Sequence, residues 1–272
     1  MQDILSEIVA HKRADLEQQL AKRCSMAESL RQSSSGIIAE FKRKSPSKGW
    51  IHPDIEPEQV VPLYAQYGAC ASSILTNEEY FGGDPSFIPR ARKALAEADS
   101  QTMGGEPKPQ FPLLRKEFII APYQVYEAKF LGADAILLIA ADLSTSEYTE
   151  LLQLAHSLNL EVLLEVHDAS ELSYLQAGIP DMLGVNNRSL GTFHTDVQHS
   201  FQIAAQMQQA VEALGIDSAK SPVLVSESGI SNPEIVKALR KVGFRGFLIG
   251  ECFMKEPNPG EALSRFIQAV EA

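Results

Sequence analysis

The chain predicts an α/β fold, a (β/α)8 TIM barrel with an N-terminal helical extension. Three observations point there: eight short β-type runs, helix-period segments between them, and polar residues that recur at the carboxyl ends of the runs. The runs are GIIAEFK (36–42), CASSILT (70–76), FPLLRKEFI (111–119), DAILLIAA (134–141), EVLLEVH (161–167), DMLGVNN (181–187), VLVSESG (223–229) and GFLIGEC (246–252).

Ahead of the first run, Ile4, Leu5, Ile8, Val9, Leu16 and Leu20 fall at helical spacing, which predicts one or two helices before Ser33–Gly36 breaks the pattern. Between the runs lie EPEQVVPLYAQYG, PYQVYEAKFLG, SEYTELLQLAHSLN, DASELSYLQAG, VQHSFQIAAQMQQAVEALG and NPEIVKALRKVG. All six end in Gly or Asn, as helix stops do. Alternation of this kind implies a parallel sheet, and eight units imply closure. The rival, an open doubly wound sheet, needs a GxGxxG turn after an early strand, and the sequence has none. The polar stretch ADSQTMGGEPKPQ (98–110) reads as a surface insertion before the third strand. No domain boundary is evident, so residues 1–272 are expected to form one domain, with 1–35 as the extension and 36–272 as the barrel.

Composition narrows the function. The net charge of -11 offers no footprint for nucleic acid. Cys24, Cys70 and Cys252 form no CxxC pair, which fits a reducing compartment and predicts a cytoplasmic protein. The N-terminus is charged throughout, unlike a signal peptide, and no stretch approaches the roughly 18 apolar residues of a membrane span. Six histidines, at 11, 52, 156, 167, 194 and 199, show no metal spacing, so no metal is expected. His167 reads first as a hydrogen-bonded structural residue at a strand end, and a catalytic role is the lesser alternative. The lone Trp50 reads as a loop anchor.

Residues two apart on a strand share a face, so the inward row can be stepped out from an apolar member. It runs from Ile38 to Glu40 to Lys42, from Leu114 to Lys116, from Leu163 to Glu165, from Gly184 to Asn186 and from Val225 to Glu227. An unpaired buried charge costs several kcal/mol, so such a set must neutralise itself or meet a ligand. At the carboxyl mouth of a barrel it reads as a catalytic floor, and a structural ion-pair network is the alternative. Lys42, Arg43, Lys44 and Lys48 crowd one strand-to-loop junction of an acidic chain, which suits an anionic substrate. The Gly and Lys content of the loop from Lys44 to Trp50 makes mobility plausible. Gly229 follows the seventh run, with Ser231 or Asn232 as an N-cap before Pro233, and Gly250 ends the eighth. Small residues at those two loops suit a phosphate.

In order, IIAEFKRKSPSKG, SILTNEEYFGG, LLRKEFI, LLEVH, GVNNRSL, SESGI and LIG resemble the strand-end motifs of the indole-3-glycerol phosphate synthase family over nearly the whole chain. The E-x-K-x-x-S-P-S block from Glu40 to Ser47 is similar to the family signature, and the leading helices match its N-terminal segment. The resemblance implies a phosphorylated substrate, 1-(2-carboxyphenylamino)-1-deoxyribulose 5-phosphate, closed to an indole with loss of carbon dioxide and water. It implies Lys116 as general acid and Lys42 as holder of the substrate carboxylate, paired with Glu165. Glu40, oriented by Asn186, and Glu165 are the candidates for the dehydration. Glu227 and Ser228 match pocket residues near the substrate hydroxyls. Ser45, Gly229, Gly250 and the backbone at Glu251 match the phosphate site, Leu75 and Phe81 the apolar wall, and Arg188 a further substrate contact.

Proton transfers and rearrangements within one substrate need no cofactor. The implied state is a monomer, with other tryptophan-pathway enzymes as the macromolecules it would meet. Two departures stand out: Ser189 replaces an Asp common in the family after Asn-x-Arg, and the 98–110 insertion is longer than usual. The related phosphoribosylanthranilate isomerase would need a Cys and Asp pair, and no cysteine lies near the first run. A non-catalytic phosphate-binding barrel would have no reason to keep Lys116 and Glu165 as buried charges.

Overall fold

The computed structural model describes residues 4–20, 24–101, 111–189 and 194–272. Eight parallel strands close a barrel: β1 Ile37–Phe41, β2 Ala71–Leu75, β3 Leu113–Lys116, β4 Ala135–Ile139, β5 Glu161–Val166, β6 Met182–Asn186, β7 Val223–Glu227 and β8 Gly246–Ile249. Each pairs with its neighbours in sequence, and β8 pairs back onto β1 through Ile38 and Leu248. The fold is therefore a (β/α)8 barrel.

The two faces of every strand separate cleanly. Ile38, Leu114, Leu137, Leu163, Met182, Val225 and Leu248 meet inside the barrel. Their strand neighbours Ile37, Leu113, Ile136, Val162, Leu183, Leu224 and Phe247 face the helix layer. That alternation is the period of two from which the inward rows were read.

The extension forms two helices, α1 Ile4–Leu20 and α2 Met26–Gln32. Helix α2 plugs the amino end of the barrel: Met26, Ala27 and Leu30 are buried against the interior cluster. Glu161 at the start of β5 holds it there. Its carboxylate accepts the backbone N–H of Met26 at 2.7 Å and of Ala27 at 3.0 Å, and the Ser25 hydroxyl also donates to it. An anion at a helix N-terminus satisfies free N–H groups and complements the macrodipole.

Around the barrel run α3 Pro57–Gln66, α4 Glu78–Phe81, α5 Phe87–Gln101, α6 Pro122–Leu131, α7 Thr145–Ser157, α8 Gln198–Glu212, α9 Pro233–Lys241, α10 Glu251–Met254 and α11 Pro259–Glu271. Asn232, not Ser231, caps α9, accepting from the Glu234 N–H at 3.0 Å with Pro233 in the first turn. No helix among the described residues is long and apolar enough to cross a membrane.

Four expectations shift. The segment at 168–178 forms a 3-10 helix, Ala169–Gln176, opened by Asp168 accepting from the Ser170 N–H at 2.8 Å. The third strand stops at Lys116, because Glu117 turns to bind the Thr76 hydroxyl at 2.8 Å and the Asn77 amide at 3.2 Å. The eighth stops at Ile249, because Gly250 begins α10. Residues 98–101 continue α5, and the rest of the expected insertion, 102–110, lies outside the described residues.

Candidate active site

The carboxyl mouth gathers the inward rows. Lys116 ends β3, and its ammonium lies 3.0 Å from Glu165 Oε2 on β5 and 3.0 Å from Glu227 Oε2 on β7. The Asn186 amide on β6 donates to Glu165 Oε1 at 2.9 Å. Just past the end of β1, Lys42 pairs with Glu40 at 2.6 Å. Glu40, Glu165 and Glu227 are all buried, so the six groups expected from the sequence to share the floor of the mouth do so.

Two of their pairings differ from expectation. Lys42 pairs with Glu40 rather than Glu165, since the two share a strand face whereas β5 stands on the opposite side of the barrel. Asn186 orients Glu165 rather than Glu40, because β5 and β6 are hydrogen-bonded neighbours.

One ammonium between two buried carboxylates drives their proton affinities apart. Burial alone would lower the Lys116 ammonium, but Glu165, Glu227 and Glu40 hold it above the usual lysine range. Burial likewise works to raise Glu165, yet Lys116, the Asn186 amide and His167 outweigh it and keep the carboxyl below its usual range. For Glu227 burial wins over the pull of Lys116. With the Glu165 charge added, its carboxyl is pushed up to about 8. The floor at neutral pH is therefore a lysine cation, a glutamate anion and a largely protonated glutamic acid.

Glycines make room for these acids. A Cβ on Gly184 would lie 2.3 Å from Glu227 Oε1, and one on Gly250 would lie 2.5 Å from Glu40 Oε1 and 2.9 Å from Glu40 Cβ. At the end of β7 the backbone enters the left-handed region twice in succession, at Ser228 (φ 69) and Gly229 (φ 77). For a serine that is strained, and Asn187 supports it by donating to the Ser228 carbonyl at 3.0 Å.

The loop after β1 is a short hairpin pairing Lys44–Ser45 with Gly49–Trp50. Ser45 is 2% exposed and its hydroxyl has no hydrogen-bond partner. A buried hydroxyl left unpaired costs roughly 1–3 kcal/mol. The same loop is tied across the mouth. Arg188 donates to the Ser47 hydroxyl at 2.8 Å, and Lys48 pairs with Glu251. Trp50 rests on Gly82, where a Cβ would meet its ring at 2.7 Å, in keeping with a loop anchor. Leu75 is buried at the end of β2, and the Phe81 and Phe118 rings lie 6.4 Å apart at the apolar rim.

Sequence reasoning missed several residues. Phe118 continues the inward row two beyond Lys116, a signal that was available. Ser73, fully buried with an unpartnered hydroxyl between Ala71 and Leu75, was equally readable by stepping in twos. Asn187 points the other way, binding Ser200 and Ser226, and only the doubled Asn of DMLGVNN hinted at it.

A parallel barrel whose carboxyl mouth carries a lysine cation among buried acids, beside an unsatisfied hydroxyl and a strained glycine turn, defines a barrel enzyme. The chain matches the profile of the family described as indole-3-glycerol phosphate synthase over residues 2–266 and belongs to that family, carboxy-lyases of tryptophan biosynthesis. It is 50% identical to the indole-3-glycerol phosphate synthase of Bacteroides thetaiotaomicron over 100% of both chains. It is 37% identical to that of Acidithiobacillus ferrooxidans, covering 97% of this chain and 98% of the relative. Among solved structures, thiamine phosphate pyrophosphorylase from Pyrococcus furiosus shares the fold with a TM-score of 0.59 at 16% identity, over 91% of this chain and 98% of that one.

Proposed function

We propose that the chain, as one unit over residues 1–272, converts 1-(2-carboxyphenylamino)-1-deoxyribulose 5-phosphate to indole-3-glycerol phosphate, carbon dioxide and water, with the residues of the carboxyl mouth in the following roles. Lys116 is the general acid. Its ammonium protonates the ribulose carbonyl as the ring carbon bearing the carboxylate attacks, forming the carbon–carbon bond that closes the five-membered ring. Loss of carbon dioxide then returns that carbon's electrons to the aromatic ring.

Lys42 holds the substrate carboxylate beside the reacting carbon, exchanging its contact with Glu40 for one with substrate. Dehydration needs an acid for the departing hydroxyl and a base for the neighbouring C–H. Glu165, held anionic by Lys116 and Asn186, suits the base and hands the proton it takes to Lys116, while Lys116, reprotonated and beside the same oxygen, suits the acid and Glu40 holds Lys42 in place. Glu227, protonated through most of the neutral range, can donate a hydrogen bond to a substrate hydroxyl alongside Ser228. Leu75, Phe81 and Phe118 wall the aryl ring.

The phosphate is held by the Ser45 hydroxyl and the backbone at Gly229, Gly250 and Glu251, with Arg188 nearby. The unpaired, buried Ser45 oxygen supports that placement. All of these groups come from a single chain, which fits a monomeric catalyst of the cytoplasm working beside other tryptophan-pathway enzymes.

The observation that carries the reading is the Lys116 ammonium 3.0 Å from each of two buried carboxylates at the barrel mouth. The test mixes purified protein with the carboxyphenylamino-deoxyribulose phosphate and follows indole fluorescence and carbon dioxide together. Both signals at equal rates are expected. Binding without either signal would overturn the catalytic roles and leave a phosphate-binding barrel.

A further inference from the structure

The proposed reaction, on which this inference rests, consumes a proton. One proton goes to the ribulose carbonyl oxygen and a second to the hydroxyl that leaves as water, while only one is recovered from carbon when the indole double bond forms. The carboxylate departs as carbon dioxide and releases none. Each turnover therefore draws one net proton from solvent into a pocket whose acids, Glu40, Glu165 and Glu227, are all buried.

His167 stands where such a proton would pass. It is the next inward position above Glu165, and its side chain is 13% exposed against 3% for Glu165. Nε2 lies 3.4 Å from Glu165 Oε1, and Nδ1 lies 4.0 Å from Glu171 Oε2. Neither nitrogen is aligned for a hydrogen bond, and both are buried without a partner. A purely structural histidine would have at least one ring nitrogen satisfied. What fixes this residue is its backbone, whose carbonyl accepts from His199 Nε2 at 2.7 Å. The ring itself is held by no hydrogen bond of its own. Imidazole can take a proton at one nitrogen while yielding one at the other, and gaps of this size close by ring rotation or one bridging water.

We propose that Glu171, His167 and Glu165 form a proton relay that recharges Lys116 from solvent once per turnover, with His167 as its obligatory middle member. Glu171, mostly buried on the 3-10 helix and accepting the His167 backbone N–H at Oε2, takes the proton at the rim. His167 accepts it at Nδ1 and releases one from Nε2 to Glu165, which passes it to the lysine amine 3.0 Å away. The other charged or titratable groups facing this line are Glu40 and Glu227, toward Lys116, Asp168 and His199, toward His167, and Asp142, just beyond β4. Burial and the Glu165 charge raise the Asp142 carboxyl, against the pull of His167.

The test measures kcat and KM for His167→Ala and His167→Gln against wild-type protein, with and without added imidazole. The relay predicts kcat lowered about tenfold or more with KM unchanged. It also predicts that imidazole restores the alanine variant in proportion to its protonated fraction, and that Glu171→Gln has a smaller effect in the same direction. A kcat within twofold of wild type would overturn the relay. So would a loss that imidazole leaves untouched, whatever its effect on thermal stability. Wild-type protein that turns over no substrate would instead overturn the reaction assignment beneath it.

Discussion

Lys116 Nζ and Glu165 Oε2 face each other at 3.0 Å across the barrel mouth, from two strands that do not touch. The contact joins β3 to β5 over the end of β4, and it sets the charge of both groups. Glu165 contributes to holding the lysine above its usual range. Removing that anion should therefore bring the Lys116 ammonium down. Glu165→Gln is expected to move the alkaline limb of the kcat/KM profile to lower pH, beyond any fall in its height. A limb that stays in place would separate Lys116 from that titration.

Glu227 carries the opposite sign. Its carboxyl is pushed up to about 8, against an ordinary value of 4.5. Between those values the folded protein holds a proton that the unfolded chain has released, so this group's contribution to stability falls as pH rises through that window. Glu227→Gln removes the titration while keeping an oxygen for Lys116. The variant's thermal midpoint relative to wild type should thus rise steadily from pH 5 to pH 8, and a difference that does not change with pH would contradict the assignment.

Gly250 is needed for space rather than for backbone freedom. An alanine there places its methyl 2.9 Å from Glu40 Cβ, which no side-chain rotation relieves. Gly250→Ala should lower stability by about 1–3 kcal/mol and reduce turnover together, because the residue displaced is Glu40, the partner of Lys42. Denaturant melts and steady-state kinetics on the same preparation check both halves. A variant with wild-type turnover would show that Glu40 tolerates being moved.

At the other end of the barrel, Glu161 holds α2 through two backbone N–H groups and the Ser25 hydroxyl. Glu161→Ala strands those donors and loosens the plug formed by Met26 and Leu30. A loss of roughly 1–3 kcal/mol is expected, with kcat per folded molecule unchanged, since the active mouth lies at the opposite end. Reduced kcat in the fully folded variant would show that the two ends are coupled.

Much of this was readable before any coordinates. Stepping in twos from Ile38, Leu114, Leu163, Gly184 and Val225 reached Glu40, Lys116, Glu165, Asn186 and Glu227, because strand alternation is a local property of the chain. Their partners were not readable in the same way. Whether Asn186 meets Glu165 or Glu40, and whether Lys42 turns to its own strand or across the barrel, depends on which strands adjoin and at what height, and these are set only when the barrel closes. The left-handed backbone at Ser228 was equally hidden, since it is sustained by Asn187, an outward-facing residue just past β6. The 3-10 geometry of Ala169–Gln176 escaped because its apolar spacing is compatible with either helix type.

The central claim is that Lys116 is the acid that starts ring closure, and the most direct measurement compares single-turnover rates of wild-type and Lys116→Ala protein, each checked for native fold, under saturating substrate. The account predicts a rate lower by about a thousandfold or more with substrate still bound, since Lys42, Ser45 and the glycine turns remain. Lys116→Ala protein that closes the ring within tenfold of the wild-type rate would contradict it and pass the acid's role to another group at the mouth.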